Sequence, residues 1–225
     1  QLAAEGVREI NLISQDTINY GVDLGLRQGL VQLLRELVKV ETLRWIRPFY
    51  LYPQQVTDDL LDLYAEEEKI TKYIDMPLQH INDRMLKRMH RLGDRAAIES
   101  LVDRIRTRIP MLTFRTAFIV GFPGETDAAY TELRDYVERA EFDRVAVFLY
   151  SDEEGTGAVG LDEKVERDVM DERRNAILSI QESISAAKGR AKVGTTIDVL
   201  IDGRSEETEH VLEGRHEGLA PEIDG

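Results

Sequence analysis

Four short stretches carry side chains able to do chemistry, and each follows an apolar run. Ser14-Gln15-Asp16-Thr17-Ile18-Asn19-Tyr20-Gly21 offers an amide and an acid ahead of a glycine, groups able to grip an ammonium or a carboxylate. The same residues also suit an Asx-type turn, with Asp16 bonding the backbone just after it. In Asp75-Met76-Pro77-Leu78-Gln79-His80, Gln79 and His80 could hydrogen-bond a ribose or a substrate, while Asp75 and Gln79 could equally satisfy buried backbone. Ser151-Asp152-Glu153-Glu154 places three acids together, a pattern for acid–base work or for a solvated loop. Arg115 sits among apolar neighbours, and a buried guanidinium needs an anion, either a ligand carboxylate or a structural acid.

The fourth stretch is Phe114-Arg115-Thr116-Ala117-Phe118-Ile119-Val120-Gly121-Phe122-Pro123-Gly124-Glu125-Thr126. A Walker loop would need a glycine, four residues and then Gly-Lys-Ser/Thr, and a dinucleotide fingerprint would need GxGxxG; Gly121 and Gly124 give only GxxG. Two readings stand. One is a tight strand-to-helix turn in which Gly121 lets backbone approach backbone. The other is a flat apolar strand edge that receives an adenine without binding a phosphate. The histidines, His80, His90, His210 and His216, are scattered, with no HxxxH, HxH or facial carboxylate triad, which argues against an intrinsic metal site. The chain has no cysteine, so it offers no thiolate nucleophile and no thiolate-held metal.

These stretches need elements to hold them, and the hydrophobic pattern alternates strand and helix. Strands are predicted over 7–14, 42–53, 72–80, 112–122 and 144–151. Helices are predicted within 23–40, after Thr57, after Asn82, after Asp94 (closed by Pro110) and from Thr126 or Asp127. Five strands joined by helical crossovers imply an α/β fold with a parallel sheet, either doubly wound or a partial (β/α) barrel. In both, ligands gather at the C-terminal strand ends, where the four stretches fall. After Gly160 the chain becomes one charged helical segment to about residue 193, then an alternating strand at 195–203.

The 225 residues carry a net charge of −14, and 194–225 alone sets two arginines against nine acids. That balance argues against direct, non-specific nucleic-acid binding, which relies on Lys and Arg neutralising phosphates, and suits a basic protein partner. No run approaches the roughly 20 apolar residues that cross a bilayer, which predicts no membrane association. The first residues resemble no signal peptide, which predicts a cytoplasmic location. They read as a helix end, Gln1 to Ala4, with a stop at Gly6, so the chain opens mid-motif and residues are expected before Gln1.

Taken in order, ISQDTINYGVDLG, RPFYLYP, IDMPLQHINDRMLKRMHR, FRTAFIVGFPGET, VFLYSDEEGTGA and APEIDG resemble successive blocks of the radical S-adenosylmethionine (SAM) methylthiotransferases. The wording is that of the branch acting on a ribosomal protein. The tRNA-modifying branch differs where this chain has Gln15-Asp16-Thr17-Ile18, Gln79-His80-Ile81-Asn82 and Ser151-Asp152-Glu153-Glu154.

The resemblance implies an open (β/α)6 barrel with strands two to six in residues 1–160, a connecting helix at 161–193, and at 194–225 the start of a small β-barrel, the TRAM domain. It implies methylthiolation at the β-carbon of an aspartate in protein twelve of the small ribosomal subunit. Two 4Fe-4S clusters serve that reaction, one on a CxxxCxxC loop where SAM is cleaved to a 5′-deoxyadenosyl radical. This chain has ligands for neither, so by itself it is expected to be inactive. The implied SAM contacts are Ile119 and Gly121 for the nucleoside, Tyr150 near the adenine, and Gln15 and Asp16 for the methionine amino group. Gln79, His80 and Arg115 are implied for ribose, carboxylate or substrate.

Three rivals stand beside this reading. One is a tRNA methylthiotransferase, which would want a basic TRAM surface. Another is a cluster-free barrel that only binds. The last is a cluster-free enzyme using Asp75, His80 or the acids at 152–154.

Overall fold

A computed structural model describes residues 1–205, 208 and 210–224. The first five strands are β1 (Glu9–Leu12), β2 (Trp45–Pro48), β3 (Tyr73–Asp75), β4 (Thr113–Val120) and β5 (Arg144–Leu149). Between them lie α1 (Gly29–Leu37), α2 (Asp58–Glu66), α3 (Asp83–Arg88), α4 (Arg95–Arg108) and α5 (Asp127–Ala140). All strand pairs among these five are parallel: β1 with β2, β3 with β4, and β4 with β5. An Ile46–Ile70 bridge joins the two groups, with the Ile46 amide donating to the Lys69 carbonyl at 2.8 Å. The strands therefore follow chain order in an arc that does not close, as a partial radical-SAM-type barrel requires.

Alternation along the strands sorts the side chains. Ile46, Ile74, Phe114, Phe118 and Val120 point to the helices and join one core with Leu34, Leu61, Ile105, Leu133 and Val137. Glu9, Asn11, Arg47, Tyr73, Asp75 and Arg115 fall on the other face. Helix starts are set locally. The side chains of Thr57, Asn82, Asp94 and Thr126 accept hydrogen bonds from the amides of Leu60, Met85, Ala97 and Ala129. Each cap contributes about 1 kcal/mol. At the end of α4, Ile109 turns to extended backbone, as a residue before proline is biased to do.

Strands are shorter than the periodicity predicts. Only Tyr73–Asp75 of the apolar run at 72–80 is ladder; Pro77 has no amide to donate, and Gln79 returns alone as a bridge to Phe118. The long helix, α6 (Arg167–Lys192), begins six residues after the predicted 161 and packs on β5, β4 and α5. Beyond it, β6 (Leu200–Arg204) and β7 (Leu212–Arg215) form an antiparallel pair. Ile201 and Leu212 of this pair, and Val199 and Val211 just before each strand, are exposed. Residues 216–224 then fold back across the helix-free face of the arc, where Ala220 is fully buried against Phe49 and Tyr73.

Candidate functional site

The C-terminal strand ends bring together the loops after β1, β3, β4 and β5. The turn after β4 is held by one carboxylate. Gly121 adopts φ +78, a conformation L side chains rarely take, and its amide donates to Glu125 Oε2 at 2.7 Å. The same oxygen accepts from Arg173 Nη1 of α6 at 2.6 Å, and Glu125 Oε1 faces His80 Nε2 at 3.1 Å. His80 Nδ1 accepts the amides of Ile81 and Asn82, so its proton lies on Nε2, toward Glu125. Glu125 and His80 have no exposed side-chain surface. His80 therefore supports the turn from behind and does not face the strand-end surface. A Cβ on Gly121 would fall 2.3 Å from Met170 Cγ, so Gly121 packs against α6 with its amide already bonded. The expected tight turn describes Gly121, but what closes on it is the Met170 side chain and the Glu125 carboxylate, not another stretch of backbone.

Ile119 is tied as well: its amide donates to the Gln79 carbonyl and the Gln79 amide to Ala117, both at 2.9 Å. Gln79 has φ +69, which turns the chain sharply beside β4. The Ile119 side chain is half-buried, next in register to Phe148, which is 56% exposed. Phe122 meets Tyr150 edge-on at 5.1 Å. Ile119, Phe148, Phe122 and Tyr150 thus give an apolar and aromatic wall at the ends of β4 and β5, able to take the flat face of a base.

In the loop after β1, Gln15 is exposed. Asp16 Oδ2 accepts from Asn19 Nδ2, while Asp16 Oδ1 is buried with no donor in reach. An unpartnered buried carboxylate oxygen suits an ammonium. The acids at 152–154 are exposed. Hydrogen bonds from Lys164 and then from the Tyr150 hydroxyl hold Asp152 below the usual carboxylate range, opposite to what a general acid or base at neutral pH needs.

Arg115 lies on the same helix-free face as Ile119 and Phe148, four residues before Ile119 on β4. Its Nη1 donates to Asp75 Oδ1 at 2.6 Å, so of the two partners expected for it the structural acid is present. Burial works against the Arg115 charge, and Asp75, together with Tyr73 and Asp224, more than reverses that, leaving the guanidinium pKa raised. The sequence reading missed Arg173 and Asp224. A signal for Arg173 existed: Met170, Arg173, Ile177 and Gln181 are the buried residues of α6, spaced as one helical stripe.

Asp16 Oδ1 and the wall fit the ammonium and adenine ends of SAM. No residues fit an iron–sulfur cluster: the chain has no cysteine, and no group of three or more His, Asp or Glu among the described residues could hold a metal ion. No helix among them is long and apolar enough to cross a membrane.

Comparison with known proteins agrees with this geometry. The family model described as the Radical SAM superfamily matches residues 2–137. A ribosomal protein uS12 methylthiotransferase RimO of Sorangium cellulosum (strain So ce56) is 51% identical over 231 residues, covering all of this chain and 47% of the relative. The RimO of Anaeromyxobacter sp. (strain K) is 49% identical, over all of this chain and 48% of its own length. The chain spans about half the length of the curated relatives it matches. Among solved structures, methylornithine synthase (PylB) superposes with a TM-score of 0.54 at 15% identity, over 82% of this chain and 50% of that one. The radical SAM methyltransferase TsrM from Kitasatospora setae gives 0.52 at 20% identity, over 66% and 28%. These structures share the fold. With an arc of parallel strands, a strand-end site and a family match over most of its length, the chain belongs to the radical SAM superfamily.

Proposed function

We propose that this chain is the central part of a RimO-type enzyme that methylthiolates the β-carbon of an aspartate in ribosomal protein uS12. The observation that carries this reading is identity near 50%, running through the whole chain, to relatives bearing that one name. When bound, SAM supplies the hydrogen-abstracting group and the methyl group. The two 4Fe-4S clusters need ligands from outside these residues.

This chain's own part is to bind and orient. Asp16 Oδ1 accepts the SAM ammonium, with Gln15 beside it. The Ile119–Tyr150 wall lies against the adenine, and Gln79 reaches toward the ribose from its turn next to Ile119. Glu125, held by His80 and Arg173, fixes Gly121 and so the position of that wall. Arg115 acts from the same helix-free face, deeper along β4. Residues 1–160 form the barrel part, 161–193 the connection and 194–225 the opening of a TRAM domain. An isolated two-strand pair with exposed apolar residues is marginal alone, which supports further strands beside β6 and β7. Two arginines against nine acids in that part favour a basic ribosomal protein in the cytoplasm over RNA.

Mass spectrometry of ribosomal proteins and tRNA nucleosides from cells lacking the gene tests the proposal. Loss of a methylthio mass from uS12 alone is expected. Loss from tRNA instead would assign the tRNA-modifying reaction.

A further inference from the structure

The helix-free face of the arc carries a connected set of polar groups leading from the last residues of the chain to the loop after β1. Asp75 is fully buried and grips two consecutive residues. Its Oδ2 accepts the Tyr50 amide at 3.0 Å, and its main-chain oxygen accepts the Leu51 amide at 2.8 Å. Tyr50 has φ +53, an unfavourable value for an aromatic residue that persists only when neighbours enforce it. In that conformation the Tyr50 carbonyl accepts the Thr17 amide at 3.2 Å. Thr17 directly follows Asp16, whose Oδ1 is the buried acceptor with no partner.

Asp75 is in turn held by Arg115, whose Nε lies 3.7 Å from Asp224 Oδ1. Asp224 Oδ2 accepts the Tyr73 hydroxyl at 2.6 Å and the Ala220 amide at 3.0 Å, which fixes residues 220–224 onto the sheet. Arg47, fully buried on the same face, donates to the carbonyls of Glu217 and Leu219.

We propose that Asp224 and Asp75 are positioning residues. The docked segment 216–224 braces Arg115, Arg115 braces Asp75, and Asp75 keeps Tyr50 left-handed so that Thr17 and Asp16 stay seated at the strand end. The chain's C-terminal part thereby sets the shape of the ammonium end of the site from deeper on the same helix-free face. The mechanical coupling stands on these hydrogen bonds and the Arg115–Asp224 ion pair; its consequence for SAM rests on the function proposed above.

Hydrogen exchange and SAM binding, both measured on the full-length gene product, test this. Asp224→Asn and Asp75→Asn are compared with Leu133→Ala, a core variant in α5 distant from the loop. Asp224→Asn should speed exchange in 14–20 and 48–52 by roughly tenfold, as expected for a local opening, with 127–140 unchanged. It should weaken SAM binding by a similar factor, whereas Leu133→Ala should loosen α5 without selectively loosening 14–20. Faster exchange confined to 216–224, with 14–20 at the wild-type rate, overturns the proposal. If wild-type protein binds no SAM yet the coupled exchange appears, the brace stands and the SAM reading falls. Should Asp75→Asn not fold, Asp224→Asn alone carries the test, because its residue lies outside the parallel sheet.

Discussion

Glu125 and Asp75 are both fully buried carboxylates next to the ends of neighbouring strands, and they are satisfied in different ways. Glu125 takes a donor from its own turn, the Gly121 amide, and two from residues packed behind it, His80 and Arg173. Asp75 takes the amide of a strained residue and a guanidinium that leans on the last residues of the chain. The first arrangement fixes one turn. The second ties three distant segments together. Burial of a charge is thus no guide to its role; the sequence separation of its partners says whether it shapes a loop or joins parts of the fold.

The sharpest way to break this comparison is at Glu125. Glu125→Ala leaves the buried Arg173 with one acidic partner, the exposed Asp127, besides the main-chain carbonyl of residue 125, and should cost about 3–5 kcal/mol. Urea unfolding reads this, and a loss below 1 kcal/mol would mean that the cluster contributes little. Asp75→Asn keeps an acceptor for Tyr50, and Arg115 retains Asp224 nearby, so a smaller loss of about 1–3 kcal/mol is expected by the same measurement. If it equals the Glu125 loss, the two carboxylates do the same job and the contrast fails.

Gly121→Ala adds a left-handed alanine and a Cβ within 2.3 Å of Met170 Cγ, together about 2–3 kcal/mol. Coupling with Met170→Ala should recover part of it, and strict additivity in the double-mutant cycle would place the strain elsewhere.

A pH titration separates the two clusters. His216, at the start of the docked segment, accepts the Gly218 amide on Nδ1; burial, then Lys192, Arg144 and Arg47, hold its pKa below the ordinary value. The unfolded chain therefore takes up this proton first as pH falls through about 6.5, and docking of the segment weakens toward pH 5. Hydrogen exchange in 216–224 should rise over that interval while the turn after β4 stays protected; parallel loss in both would tie them into one unit. Smallest is Asn82→Ala, about 1 kcal/mol by thermal unfolding for the lost cap on α3. A neutral result would show that packing alone starts that helix.

Much of the architecture was legible because it is written in local rules. Apolar, β-branched and aromatic runs marked five strands, and Thr57, Asn82, Asp94 and Thr126 announced their helices because a side-chain oxygen placed there meets an orphan amide. Strand ends at Gln15, Gln79, Gly121 and Tyr150 followed from the same pattern. His80 and Gly121 looked like ligand contacts because type and position at a strand end suggest it; which way the ring nitrogen and the amide point depends on Glu125, 45 residues after His80, and Gly121 is backed by Met170 of the distant helix α6.

The sequence by itself determined the order of the elements, the parallel sense of the sheet and the edge where the candidate site lies, since these depend on hydrophobic period, capping and chirality of the crossovers. Only the tertiary structure decided that Arg115 meets Asp75 and that Asp224 reaches Tyr73. Pairing of buried charges is fixed by desolvation, which punishes every charge left without a partner but is indifferent to how far along the chain that partner comes.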